Sequence, residues 1–389
     1  VKTVIVGAGI FGVTAARELR RRGHEVVLVD TGPIPHPLAA STDVSKVVRL
    51  EYGPDEDYTV LGEESLEGWR RWNRELGEEL FHETGVLFVR AGAASPGTFE
   101  GDSWSVLTRR GHALERIDRA ALGRYPAWNA SLYEDGIFDR AGGWVESGLV
   151  VARLVERAGR EGVLVREATF ERLLQSGSRV TGIATTDHGR IEGDTVLLAC
   201  GSWTPHVLPE LAPIFRSTGQ PVFHLRPDDP GIFAAERFPV FGADISTTGW
   251  YGFPLHPKEG VVKVARHGIG RVMHPESPAR KVTAEETADL RGFLAGTFPA
   301  LAGAPVVFTR VCLYCDTWDG HFWIARDPGR EGLVLATGGS GHAYKFAPRL
   351  GALSADAVEG RENDYSRKFR WRPEIHPEQN EEAARCQDR

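Results

Sequence analysis

The chain has 389 residues, with 46 Lys and Arg against 53 Asp and Glu, a formal net charge of −7 and a hydrophobic fraction of 41%. That length accommodates two domains, or one nucleotide-binding domain carrying a large second layer. The acidic balance provides no basic field for nucleic acid or an anionic membrane surface, and no run approaches the roughly 20 apolar residues that span a bilayer.

The first residues already read as a strand, so no signal peptide is expected and the protein is expected in the cytoplasm. Val4-Ile5-Val6 leads directly into Gly7-Ala8-Gly9-Ile10-Phe11-Gly12. A helical pattern then runs to about Arg22, Gly23 ends it, and Val26-Val27-Leu28-Val29 forms a second strand closing on Asp30. Each part has a task in holding a dinucleotide. Gly7 permits the tight turn, Gly9 allows backbone to approach a pyrophosphate, and Gly12 lets the helix pack on the sheet. The helix N-terminus offers free N–H groups and the positive end of its dipole. Asp30 is spaced to accept hydrogen bonds from a ribose. This unit alone leaves FAD and NAD both open.

Two later segments bear on that choice. Thr195-Val196-Leu197-Leu198-Ala199-Cys200-Gly201-Ser202 is an apolar strand broken at glycine, and Leu333 to His342 repeats the pattern near the C-terminus. Such returns to a nucleotide-binding sheet from distant parts of the chain are common in flavoproteins and unusual in NAD-dependent dehydrogenases. Residues 1–85, 145–215 and 320–389 are therefore expected to form a discontinuous Rossmann-type α/β FAD-binding domain. Residues 86–144 and 216–319, with short strand-like runs such as Val86-Leu87-Phe88-Val89 and Val261-Val262-Lys263-Val264, are expected to form a mainly antiparallel substrate domain. From about Glu359 the chain turns polar, and a surface-lying or partly disordered tail is expected.

Four cysteines, Cys200, Cys312, Cys315 and Cys386, are too few for a disulfide scaffold. Cys312 and Cys315 form a C-x-x-C pair without the further ligands that zinc requires, and no metal is expected. On its own, Cys312 reads as an inert strand thiol, Lys263 as a strand lysine pointing outward, and Arg49 and Lys345 as surface charges.

In order along the chain, the glycine motif, Arg49-Leu50-Glu51-Tyr52-Gly53, Thr84-Gly85-Val86-Leu87, Cys312-Leu313-Tyr314 and Gly339-Ser340-Gly341-His342-Ala343-Tyr344-Lys345-Phe346 resemble the monomeric sarcosine oxidase family. That family includes N-methyltryptophan, pipecolate and fructosyl amino acid oxidases and belongs to the D-amino acid oxidase superfamily; the resemblance covers roughly residues 1–355. It implies a sarcosine oxidase-like fold and FAD attached to Cys312 through a thioether. It also implies oxidation of a secondary-amine amino acid to an imine, with molecular oxygen reduced to hydrogen peroxide. Arg49 and Lys345 are implied to grip the substrate carboxylate, and Lys263 to stabilise charge developing on oxygen. His267, Tyr251 and Tyr314 are implied to line the amine pocket. Around the flavin the resemblance places Gly7, Gly9, Ile10, Phe11, Gly12, Asp30, Ser41, Lys46, Gly339, Gly341 and His342. The expected partners are a small amino acid and oxygen, and the expected state is a monomer.

The sequence also departs from the family. Lys46 stands where sarcosine oxidase has arginine, Ala343-Tyr344 replaces Gly-Phe, Ala325 replaces an acidic residue, and the Tyr251–Lys263 loop is one residue longer. These changes leave open whether the substrate is an N-methyl, cyclic or glycated amino acid and whether the role is catabolic or biosynthetic. An NAD-dependent dehydrogenase and a non-catalytic flavin-binding protein remain as readings from other classes.

Overall fold

A strand that carries apolar side chains on both faces needs cover on both, and Lys2–Val6 has it. Ile5 packs with Val13, Ala16 and Leu19 of the helix Ile10–Arg21, whereas Val4 and Val6 face Val180, Ile183 and Ile191 on the other side. Each such fully buried side chain contributes about 1.5–3 kcal/mol. The computed structural model describes residues 1–374 and 382–387.

Lys2–Val6 is an inner strand of a six-stranded sheet in the order 323–326, 333–337, 195–198, 2–6, 25–30, 164–167. Its ladders are parallel, with Ile5 opposite both Leu28 and Leu197, except that Trp323–Arg326 runs antiparallel to Leu333–Thr337. On one face, helices from opposite ends of the chain, Ile10–Arg21 and Ala347–Glu359, lie against each other. Gly351 allows the approach, because a Cβ there would stand 2.5 Å from the Thr14 carbonyl oxygen. The other face is covered by the antiparallel strands Phe170–Ser176, Arg179–Thr185 and Gly189–Glu192.

A larger mixed sheet is built from strands between Val86 and Asp139 and between Phe215 and Thr317. Most of its ladders are antiparallel. Its longest pairing sets Phe215–Leu225 against Val306–Thr317 and places Cys312 opposite Gln220. Val262–Arg266 lies on the other side of Phe215–Leu225, with Lys263 opposite His224. The helix Ala284–Thr297, closed by a Thr283–Glu286 capping box, presses Leu290 and Leu294 onto Phe223, Phe241 and Phe298. The fold is thus mixed α/β, a nucleotide-binding type of sheet beside a second, largely antiparallel layer. Among the described residues no helix is long and apolar enough to cross a membrane, and no His/Cys/Asp/Glu group could hold a metal ion.

The expectation of a surface tail needs correction. Phe369, Ala384 and Cys386 are fully buried, Arg372 makes a bidentate pair with Asp319 (2.6 and 2.8 Å), and Arg385 does the same with Asp316 (2.8 and 2.6 Å). The segment is polar in composition, yet its arginines reach buried carboxylates and its few small apolar residues fill notches in the core. The part of that expectation falling on residues 375–381 and 388–389 lies outside the described residues.

Candidate functional site

The glycine motif forms the turn between the strand Lys2–Val6 and the helix Ile10–Arg21. Gly7 has φ +104°, and a Cβ on it would lie 2.4 Å from the Ala199 carbonyl oxygen. At Gly12 a Cβ would lie 1.8 Å from the Gly7 carbonyl oxygen, so any side chain would push the helix off its turn. The Asp30 carboxylate accepts the Ala8 N–H (2.7 Å) and the Ser41 hydroxyl accepts the Ile10 N–H (2.9 Å). Asp30 therefore braces the loop as well as standing at the end of the second strand. Ile10 and Phe11 turn into the core, Phe11 edge-on to Phe322, and contribute only main chain to the turn. A side-chain-free turn opening on a helix N-terminus fits a pyrophosphate.

One cavity gathers Lys46, Arg49, Tyr251, Lys263, His267, Cys312, Tyr314, Gly341, His342 and Lys345. Strand periodicity explains how Lys263 reaches it. Val262 and Val264 point into the aromatic core, so the residue between them points the other way, and Lys263 is only 2% exposed. Its ammonium donates to Asp43 (2.6 Å) and to the Ser45 carbonyl oxygen (2.5 Å). Burial pulls the Lys263 pKa down to about 8, with Asp43 opposing and Lys46 adding to the fall. Burial works against the charge of Asp43 too, but Lys263, a contact with His224, Lys46 and Arg310 hold it well below the usual carboxylate range.

The same periodicity separates the cysteines. Cys312 and Tyr314 face the cavity, whereas Cys315 turns to the opposite side, against Thr337, where burial raises its pKa to about 11. The C-x-x-C thiols thus do not confront one another, and Cys312 is the cysteine that lines the cavity.

Arg49 is buried, with its guanidinium 4.5 Å from the Tyr52 ring centre. Its Nη2 donates to Glu382 Oε1 (2.9 Å), and its Nη1 has no hydrogen-bond partner among the described residues. Glu382 Oε2 meets His267 Nε2 at 2.7 Å, and His267 Nδ1 lies 3.3 Å from the Tyr314 hydroxyl. With Nε2 assigned as the donor to the carboxylate, Nδ1 accepts from the tyrosine. Lys345 donates to the His342 carbonyl oxygen (2.7 Å); burial and then Arg49 drive its pKa well below normal, with Glu382 opposing. His342 is held between the Tyr52 hydroxyl (3.2 Å) and the Gly320 carbonyl oxygen (2.9 Å), and burial strongly disfavours its charged form. Gly341 packs against the Tyr314 ring, and Gly339 lies closer to Phe11 and Ala343. The Lys46 ammonium stands 5.7 Å from the ring centre of Tyr344, whose hydroxyl donates to the Ser147 carbonyl oxygen (2.7 Å).

Two charged participants were missed in the sequence. Asp43 had a faint signal, an acid three residues before Lys46 in the same loop. Glu382 had none, being one of several acids in a polar tail. Glu382 supplies Arg49 with an anion from within the chain.

Residues 2–357 match the family described as DAO, FAD dependent oxidoreductase. N-methyl-L-tryptophan oxidase of Salmonella arizonae is 28% identical over 362 residues, covering 91% of this chain and 93% of that protein. Monomeric sarcosine oxidase of a Bacillus species is 26% identical, covering 93% of this chain and 94% of that one. Among solved structures, the deglycating fructosamine oxidase Amadoriase II of Aspergillus fumigatus superposes with a TM-score of 0.84 at 24% identity, covering 100% of this chain and 93% of that one.

Proposed function

The chain belongs to the FAD dependent oxidoreductase family, and from that premise we propose that it oxidises the secondary amine of a small N-substituted amino acid to an imine, reducing oxygen to hydrogen peroxide. One observation carries this reading: a single cavity gathers the cations Arg49, Lys345 and Lys263 with His267, Tyr314 and the thiol of Cys312. The names of the relatives, N-methyl-L-tryptophan oxidase and sarcosine oxidase, support the substrate class.

When bound, FAD would supply the two-electron redox chemistry that links oxidation of the C–H bond beside the amine nitrogen to reduction of oxygen. The turn Gly7–Gly12 would hold its pyrophosphate, and Cys312 Sγ would carry the thioether to its ring. The Arg49 guanidinium, as a planar fork through Nη1 and Nη2, and Lys345 Nζ, as a point charge, take the substrate carboxylate. Lys345, whose charge burial and Arg49 disfavour, is held protonated by the arriving anion. His267, Tyr251 and Tyr314 orient the amine, which enters in its neutral form and needs positioning more than proton removal. Lys263, fixed by Asp43, keeps a positive charge where oxygen acquires a negative one; Lys46 lies in the same wall.

A peroxide-coupled assay of the purified flavoprotein tests the reading, with N-methylglycine, N-methyl-L-tryptophan and a fructosyl amino acid set beside their decarboxylated counterparts. Peroxide from an acid but not from its counterpart is the expected result. Anaerobic flavin reduction without peroxide in air would remove the oxidase assignment, and no reduction by any compound would remove the substrate class.

A further inference from the structure

Arg49 already holds a carboxylate, and that carboxylate belongs to the chain itself. Glu382 is buried, with 2% side-chain exposure, and divides its two oxygens between Arg49 Nη2 (2.9 Å) and His267 Nε2 (2.7 Å). The residues after it are anchored around the same cavity. Ala384 is packed with Phe88, Phe99 and Phe253. Arg385 pairs with Asp316 and donates to the Gly268 carbonyl oxygen (3.0 Å), and the Cys386 N–H donates to the carbonyl oxygen of His267 (3.1 Å). The C-terminal segment therefore brings a carboxylate to the guanidinium that the substrate acid is proposed to use.

The exchange energetics discriminate between ligands. A substrate carboxylate that displaces Glu382 from Arg49 replaces one charge-assisted hydrogen bond with another and releases Glu382 toward water. An amine without an acid group has nothing to trade, since moving Glu382 would leave Arg49 buried and unpaired. We propose that Glu382 is a specificity-determining residue, an internal carboxylate that occupies Arg49 until a substrate acid replaces it. This rests on the reading of Arg49 as a receptor for the substrate carboxylate. The competitor weakens binding of every acid, whereas an amine that carries none leaves it in place on Arg49.

The test uses the flavin-loaded full chain. Glu382→Gln keeps the shape of the side chain and removes its charge. KM for N-methylglycine should fall by about tenfold, the scale of one charged hydrogen bond, while turnover of dimethylamine, its decarboxylated counterpart, stays as poor as in the parent. An unchanged or raised KM for N-methylglycine overturns the proposal, as does a parallel change for acid and amine, which would make Glu382 a wall or amine contact. Should the variant fail to fold, hydrogen exchange on the unaltered protein decides. Saturating acetate, a carboxylate that cannot be oxidised, should speed exchange of the Cys386 amide several-fold, and dimethylammonium should not. Unchanged or slowed exchange with acetate counts against displacement. Arg49→Ala separates the two claims: if the preference for acid over amine survives it, the carboxylate reading itself falls. If that preference disappears but Glu382→Gln raises KM, only the displacement is wrong.

Discussion

The glycine turn and the amine cavity are built from different materials. In the turn the chemistry belongs to the main chain, and the side chains matter chiefly by being absent, as at Gly7 and Gly12. In the cavity it belongs to buried charges brought from widely separated segments: Asp43, Arg49, Lys263, His267, Lys345 and Glu382. A main-chain site tolerates almost no added volume but is indifferent to charge. A charge-built site tolerates changes of shape but depends on each ion keeping its partner, because a buried ion left alone is costly.

The largest effect expected from that contrast is at the turn. Gly12→Ala places a methyl group 1.8 Å from a carbonyl oxygen that cannot swing aside. The protein should be recovered colourless or not at all, read as the ratio of absorbance at flavin and protein wavelengths. Gly292→Ala, on the exposed side of the helix Ala284–Thr297 with nothing within 4 Å, should keep its flavin. Equal flavin content in the two variants would break the comparison.

In the cavity, Lys263→Met keeps most of the stem and removes the charge. Stopped-flow measurement should show anaerobic reduction by substrate changed modestly, and reoxidation by air slowed on the order of 10²–10³-fold, the scale of losing one fixed electrostatic donor. The parent's own pH profile sharpens this. With its pKa lowered to about 8, Lys263 is charged below that pH and neutral above it, so reoxidation should be fast at neutral pH and decline as pH rises through about 8. The Lys263→Met profile should lack that step. Reoxidation matching the parent would reduce Lys263 to a strand residue and turn attention to Lys46.

Smaller losses are expected at the two cations proposed to receive the carboxylate. Lys345→Ala and Arg49→Ala should each weaken capture of an amino acid by ~1.5–3 kcal/mol, the scale of a charged hydrogen bond, read as kcat/KM. A decarboxylated substrate should lose a similar amount against the parent. The smallest effect on the folded enzyme belongs to Cys312→Ser. Acid-precipitated parent should stay yellow, with flavin mass on the peptide containing Cys312, whereas the variant releases its flavin on denaturation. Free flavin from the parent would remove the covalent link and leave the rest of the proposal standing.

What was legible beforehand followed the same division. The strand–glycine–helix unit at 2–30 was readable because its geometry is local: a positive φ at Gly7 and a close approach at Gly12 leave glycine as the residue that fits. The strand returns at 195–198 and 333–337 were readable as apolar runs, and both join the sheet that holds Lys2–Val6. Lys263, Cys312 and Lys345 were visible only through motif resemblance, since lysine between valines in a strand points either way until the packing on each face is known. The tail was misread because composition reports average polarity, and two arginines that find buried aspartates do not look different from two that meet water.

By itself the sequence therefore determined the nucleotide turn and the parallel strands around it, properties set by sterics and hydrophobic runs within a few residues. Only the tertiary structure decided which way Lys263 points, that Cys312 and Cys315 part to opposite faces, that Asp43 stands against Lys263, and that Glu382 returns from the C-terminus to Arg49. An ion pair between residues 333 positions apart is set by where two chain segments meet, and no local pattern in either segment records it.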